Sequence, residues 1–120
     1  MTPAQAVASL DRHLARHGAD VVLRRVQPGG PVDVTVRAHV RGYTPHELTG
    51  SVVMGDTKAI ISPTQIIAAG WSGASTDGTD ARVPVRGDKL VIAGRLRNIE
   101  AAAPIYMAGE LVRIELQVRG

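Results

Sequence analysis

His13 and His17 stand four residues apart in a segment of helical periodicity, the spacing that lets two imidazoles reach one metal ion. A zinc-protease helix needs Glu directly after the first histidine. Leu14 occupies that place, so the pair reads as two partly exposed side chains flanking an apolar stripe. Nucleophilic catalysis needs a hydroxyl, a base and an orienting acid, and His39 or His46 would be the base. No G-x-S-x-G elbow occurs, and the nearest string, Trp71-Ser72-Gly73-Ala74-Ser75, lacks the strand before it and the helix after it. Asp77 and Asp80 fall in an irregular stretch, where nothing shelters a carboxyl for proton transfer. Gly29-Gly30 is followed by Pro31, which removes an N–H that a phosphate cradle would use. Arg86-Gly87-Asp88 has the letters of an adhesion motif and reads instead as a turn before a strand. The residues assign no catalytic group, no cofactor and no metal, and the chain is expected not to be an enzyme.

The elements that carry these residues follow from periodicity. From Thr2 to Gly18 the chain has a full set of helix signals: Thr2 and Gln5 as a capping box, Pro3 at the first position, and Gly18 suited to a left-handed C-cap. Val7, Leu10 and Leu14 form the apolar stripe, with Gln5, Ser9, Arg12 and Arg16 on the opposite face. The period then changes from 3.6 to 2. Val32 to Arg41 alternates strictly, with Val32, Val34, Val36, Ala38 and Val40 on one face. The last ten residues repeat the pattern, with Val112, Ile114, Leu116 and Val118 facing one way. Val21 to Val26 is a further strand before a Pro-Gly-Gly-Pro turn. Ser51–Met54 with Thr57–Ile61, and Lys89–Ile92 with Arg95–Ala101, read as hairpins.

Thr44-Pro45-His46-Glu47 and Ser62-Pro63-Thr64-Gln65 repeat the capping signature and predict short helical turns ending near Gly50 and Gly70. The stretch 72–81 has no period and predicts a mobile loop. The expectation is mainly β: a small single-domain barrel or sandwich over 1–120, with about six to seven strands, an N-terminal helix over 2–18, strands over 19–120 and one long loop.

Composition agrees with one domain. The 120 residues carry 14 Lys or Arg and 11 Asp or Glu, a net charge of +3, and 44 % of them are hydrophobic. There is no Cys, no Phe and one Trp, so the core is aliphatic and disulfide, thiolate and iron–sulfur chemistry is excluded. Acids and bases are interleaved, and aromatics are 2 % of the chain. A base-stacking nucleic-acid platform is therefore disfavoured. Arg37, His39 and Arg41 form a ladder on one strand, and Arg37, Arg41, Arg95 and Arg97 make a candidate basic outer face. No run of apolar residues is long enough to span a membrane, and no leader pattern is present, so synthesis and use in the cytoplasm are expected.

Four stretches carry a resemblance: Gly42-Tyr43-Thr44-Pro45-His46-Glu47-Leu48; Gly55-Asp56-Thr57-Lys58-Ala59-Ile60-Ile61-Ser62-Pro63; Arg86 through Arg95; and Leu116-Gln117-Val118-Arg119-Gly120. Over about residues 40 to 120 the chain resembles the neck proteins of tailed bacteriophages, the head-closure, stopper or head–tail connector proteins also found in prophages and gene transfer agents. The resemblance implies a small β-barrel that forms a homo-oligomeric ring on the portal or its adaptor, closes the DNA-filled head and docks the tail, with at most non-specific contact with packaged DNA. The location implied is the virion neck, after assembly in the host cytoplasm, and no membrane partner is implied. The loop with Ser72, Asp77 and Asp80 is the candidate for reaching a neighbouring subunit or the channel. Trp71 at its base is either an interface anchor or a core residue covering one barrel end. Two other readings remain: a tail terminator or tail completion protein, and an oligonucleotide-binding barrel.

Overall fold

The computed structural model describes residues 1–42, 56–71 and 82–120. Helix α1 (Pro3–His17) precedes strands β1 (Ala19–Gln27), β2 (Gly30–Gly42) and β3 (Thr57–Ile61), then helix α2 (Thr64–Ala69) and strands β4 (Lys89–Ile92), β5 (Arg95–Met107) and β6 (Glu110–Arg119). The strands close into an antiparallel barrel in the order β1-β2-β3-β6-β5-β4. The barrel reading is thus the correct one of the two, and six strands suffice. Alternation supplies the interior: Val21 and Leu23 from β1, Val34, Val36 and Ala38 from β2, Ala59 and Ile61 from β3, Leu90, Ile99, Ile114, Leu116 and Val118 from the rest. All are buried aliphatics, each worth roughly 1.5–3 kcal/mol of transfer free energy when large.

One detail departs from the simple pattern. Val112 was expected on the same face as Ile114, but the register of β5 and β6 shifts between Ile105↔Arg113 and Tyr106↔Leu111. The extra residue sends Leu111 into the core while Val112 lines a cleft under α1. Of the hairpin expected for Ser51–Met54 with Thr57–Ile61, Ser51–Met54 lies outside the described residues; β3 pairs with Ala38–Gly42 of β2 on one edge and with Ile114–Val118 of β6 on the other. The Lys89–Ile92 and Arg95 hairpin forms as expected, through Ala93 and Gly94, both at positive φ. The turn expected at Thr44 lies outside the described residues; the one at Ser62 forms α2, without the side-chain capping box.

α1 starts with the capping box expected: Thr2 Oγ1 accepts from Gln5 N–H at 3.2 Å, and Gln5 Oε1 accepts from Thr2 N–H at 2.9 Å. Its apolar stripe lies on the outside of the barrel, where Leu14 is buried. Gly18 does not take the left-handed cap; its φ of −90° is ordinary. Its glycine has another cause. A Cβ there would sit 2.6 Å from the Leu14 carbonyl oxygen and 2.9 Å from that of Ala38, so helix and β2 meet through a bare backbone. Gly18→Ala is expected to lose about 1–3 kcal/mol, read as a lower urea midpoint at unchanged slope.

Among the described residues, the pairings that close the barrel cover only part of the longer strands. β2 pairs β3 through Ala38–Gly42, and β1 pairs β4 through Val22–Arg24, so the β1–β2 and β5–β6 hairpins extend beyond the closed part. α2 packs against β2 on one side of this splayed end. On the other, residues 82–88 run between β1 and β5, with Arg25 bonded to the Val83 carbonyl and Ile99 to the Asp88 carbonyl.

Candidate functional site

Each end of the barrel carries a polar cluster. At the splayed end, α2 stops at Gly70, whose φ of 63° suits a glycine C-cap, and Trp71 N–H then bonds the Ile66 carbonyl at 3.0 Å. That reversal delivers the indole into the barrel end, where Trp71 is 2 % exposed among Ile66, Val83 and Leu111. Its Nε1–H donates to the Val32 carbonyl at 2.9 Å. The Arg25 guanidinium lies 4.4 Å from the ring centroid. Arg25 also donates to the Asp88 carboxylate, with Nη2 at 3.0 Å, and Asp88 accepts from Val85 N–H at 2.9 Å. Trp71 is therefore the core residue that covers a barrel end, and little of it is left to present to a partner. Asp88 is buried in this cluster, so the Arg86-Gly87-Asp88 tripeptide is a structural turn, with Gly87 at φ 103°.

At the closed end, Asp56 is buried on the outer face at the start of β3. It accepts from Arg119 Nε at 2.7 Å and Nη2 at 2.9 Å, and from Gln117 Nε2 at 2.8 Å. The Asp56 hydrogen bond raises the Arg119 pKa above the ordinary arginine value. A second exposed pair, Arg24 with Asp33 at 2.9 Å, holds the Asp33 carboxyl below the usual range through that hydrogen bond.

The four arginines of the expected basic face do not share one surface. Arg37 and Arg41 do lie on the outer face of β2, but Arg37 is occupied with α1: Nε donates to the Leu14 carbonyl at 3.2 Å, Nη2 to that of Ala15 at 3.2 Å, and Nη1 meets Asp20 at 3.1 Å. It neutralises the negative end of the helix. Arg41 donates to the Gly42 carbonyl at 3.0 Å. Arg97 pairs in register with the core residue Leu90, and opposite residues share a face, so Arg97 belongs to the inward side at the barrel end. It donates to Thr57 Oγ1 at 3.1 Å. Arg95 has the same parity and donates to the Gly120 carbonyl. The outer-face assignment is corrected for these two: strand parity turns them to the barrel end.

Ser72, Asp77 and Asp80 lie outside the described residues. The His13 and His17 rings meet at 5.0 Å, and His39 of β2 comes within 5.5 Å of His13. Among the described residues no group of three or more His, Asp or Glu side chains is arranged to hold a metal ion. Likewise, no described helix is long and apolar enough to cross a membrane.

No protein-family model matches the chain, and no curated protein matches it. The described residues form an open cleft of about 380 Å³ between α1 and the barrel, lined by Leu10, His13, His39, Ile60 and Val112, and a groove of about 570 Å³ beside β5. The sequence reading missed both polar clusters. The signal for the first was present, since Arg25 sits two residues after Leu23 in the inward register, where a charge must find a buried partner.

Proposed function

We propose that this chain is a structural subunit of the neck of a tailed bacteriophage, forming a homo-oligomeric ring between the portal or its adaptor and the tail. It closes the DNA-filled head and offers the tail a docking surface, without enzymatic activity. The observation that carries the reading is the resemblance over Gly42–Leu48, Gly55–Pro63, Arg86–Arg95 and Leu116–Gly120, and the six-stranded barrel with an N-terminal helix supports it, because a ring subunit needs a rigid body that works by shape. Residence in the virion neck, after assembly in the host cytoplasm, follows from the same reading. Contact with packaged DNA is at most non-specific.

A phage lacking this protein is expected to yield DNA-filled heads that leak and carry no tails. Particles that stay filled and tail-bearing overturn the proposal. Copurification with headless tails instead assigns the chain to the tail end, as a tail terminator or completion protein.

A further inference from the structure

The cleft of about 380 Å³ between α1 and the outer face of the barrel has an apolar floor, made by Ile60 of β3, Ile105 of β5 and Val112 of β6 beside Leu10 of the helix. Ile105 is 40 % exposed. Strict alternation would put Val112 on the core face with Ile114, and it reaches the cleft because the β5–β6 register shifts between Ile105↔Arg113 and Tyr106↔Leu111. Such bulges are over-represented beside functional sites, where they re-aim a side chain.

The polar groups at the cleft are short of hydrogen-bond partners. Arg113, its side chain 39 % exposed, stands 3.1 Å from Glu115 Oε2, yet its Nε makes no hydrogen bond. Glu115 also meets Lys58 Nζ at 2.7 Å. His39 Nδ1 is shielded from water and has no partner, and the His13 ring stands 5.5 Å from that of His39. Among the described residues no Asp or Glu lines the cleft. An apolar hollow with a few convergent polar groups, within the roughly 300–1,000 Å³ of small-molecule sites, suits an amphipathic ligand. The guanidinium selects its charge, because its fork of N–H groups matches a carboxylate.

We propose that this cleft binds an aliphatic monocarboxylate of about eight carbons, with its chain over Ile60, Ile105 and Val112 and its carboxylate at Arg113 and His39. A hydrocarbon chain suits the floor better than a peptide does, since a peptide brings main-chain N–H and C=O groups that need partners of their own. His39, Ile60 and Glu115 are cross-strand partners in one continuous ladder, so their main-chain groups are engaged in the sheet. A cationic head group is excluded for a parallel reason: the nearest carboxylate, Glu115, already serves Lys58 and Arg113. The site is independent of the neck reading.

The test uses the full chain, labelled for amide NMR, with octanoate below its micelle concentration as the probe. Saturable shifts are expected at Leu10, His39, Ile60, Ile105 and Val112. Butyrate, shorter by four methylenes, is expected to bind at least about tenfold more weakly. Octylammonium, the same chain with the opposite charge, is expected to lose about tenfold or more as well. Arg113→Gln, a change at a partly exposed side chain, is expected to weaken octanoate about tenfold and leave the binding of octyl alcohol unchanged. No saturable shift at millimolar octanoate, shifts elsewhere on the barrel, octylammonium binding as tightly as octanoate, or an Arg113→Gln chain that binds octanoate like the parent overturns the proposal. An acetylated leucyl-valine with a free carboxylate that shifts the same residues at lower concentration overturns it too, by assigning the cleft to the end of a protein chain.

Discussion

Trp71→Ala is expected to destabilise the barrel by about 3–5 kcal/mol, a large part of the stability of a domain this size. The indole is buried in the core cluster that also holds Ile66, Val83 and Leu111, and truncation leaves a cavity there. Two further losses add to it. The Val32 carbonyl loses the Nε1–H donor at 2.9 Å, and Arg25 loses the ring face beneath its guanidinium at 4.4 Å. Trp71→Phe separates these contributions, because it keeps an aromatic face and most of the volume but removes the donor, and it is expected to lose about 1–2 kcal/mol. Urea unfolding followed by far-UV circular dichroism measures both, since Trp71 is the chain's one tryptophan and fluorescence vanishes with it. A Trp71→Ala midpoint within about 1 kcal/mol of the parent contradicts the barrel-end role and returns Trp71 to the pool of interface candidates.

That residue shows how far the sequence could be read. Period-2 alternation in Val32 to Arg41 and in the last ten residues named the strands and their inward faces, because one wet and one buried face demand it. The capping box at Thr2 was legible for an equally local reason. Pairing was harder. Thr57–Ile61 has a turn-like Gly55-Asp56 before it, yet its partners are β2 and β6, chosen by barrel closure across long sequence separations. Gly18 was read as a conformational glycine when its reason is the approach of the Ala38 carbonyl, which no local pattern encodes. At the candidate site, Arg95 and Arg97 were assigned outward by their charge, although their parity with Ile99 pointed inward. Parity is the stronger guide at a strand's end, where a long side chain can leave the core through the barrel mouth.

Removing the Arg119 side chain as Arg119→Met is expected to lower the stability of the barrel, because the buried Asp56 carboxylate loses both hydrogen bonds that the guanidinium supplies. The Asp56 side chain is fully shielded from water while that of Arg119 is 41 % exposed, so the two partners are not equivalent. Losing the arginine removes two charge-assisted hydrogen bonds from a buried carboxylate that Gln117 Nε2 still serves at 2.8 Å; losing the carboxylate as Asp56→Asn leaves an arginine that water and Glu100, 3.4 Å away, can still serve. The arginine variant is therefore the worse of the two. The double variant is expected to be more stable than the sum of the single losses implies. Urea midpoints of the four proteins at neutral pH test the scheme. Equal losses for the two single variants and no coupling would show that the cluster acts through packing rather than charge. The consequence reaches function, because Asp56 ties the start of β3 to the end of β6 across one rim of the barrel. On the neck reading that rim must stay rigid in the assembled ring, and Arg119→Met is expected to reduce ring assembly before it unfolds the subunit.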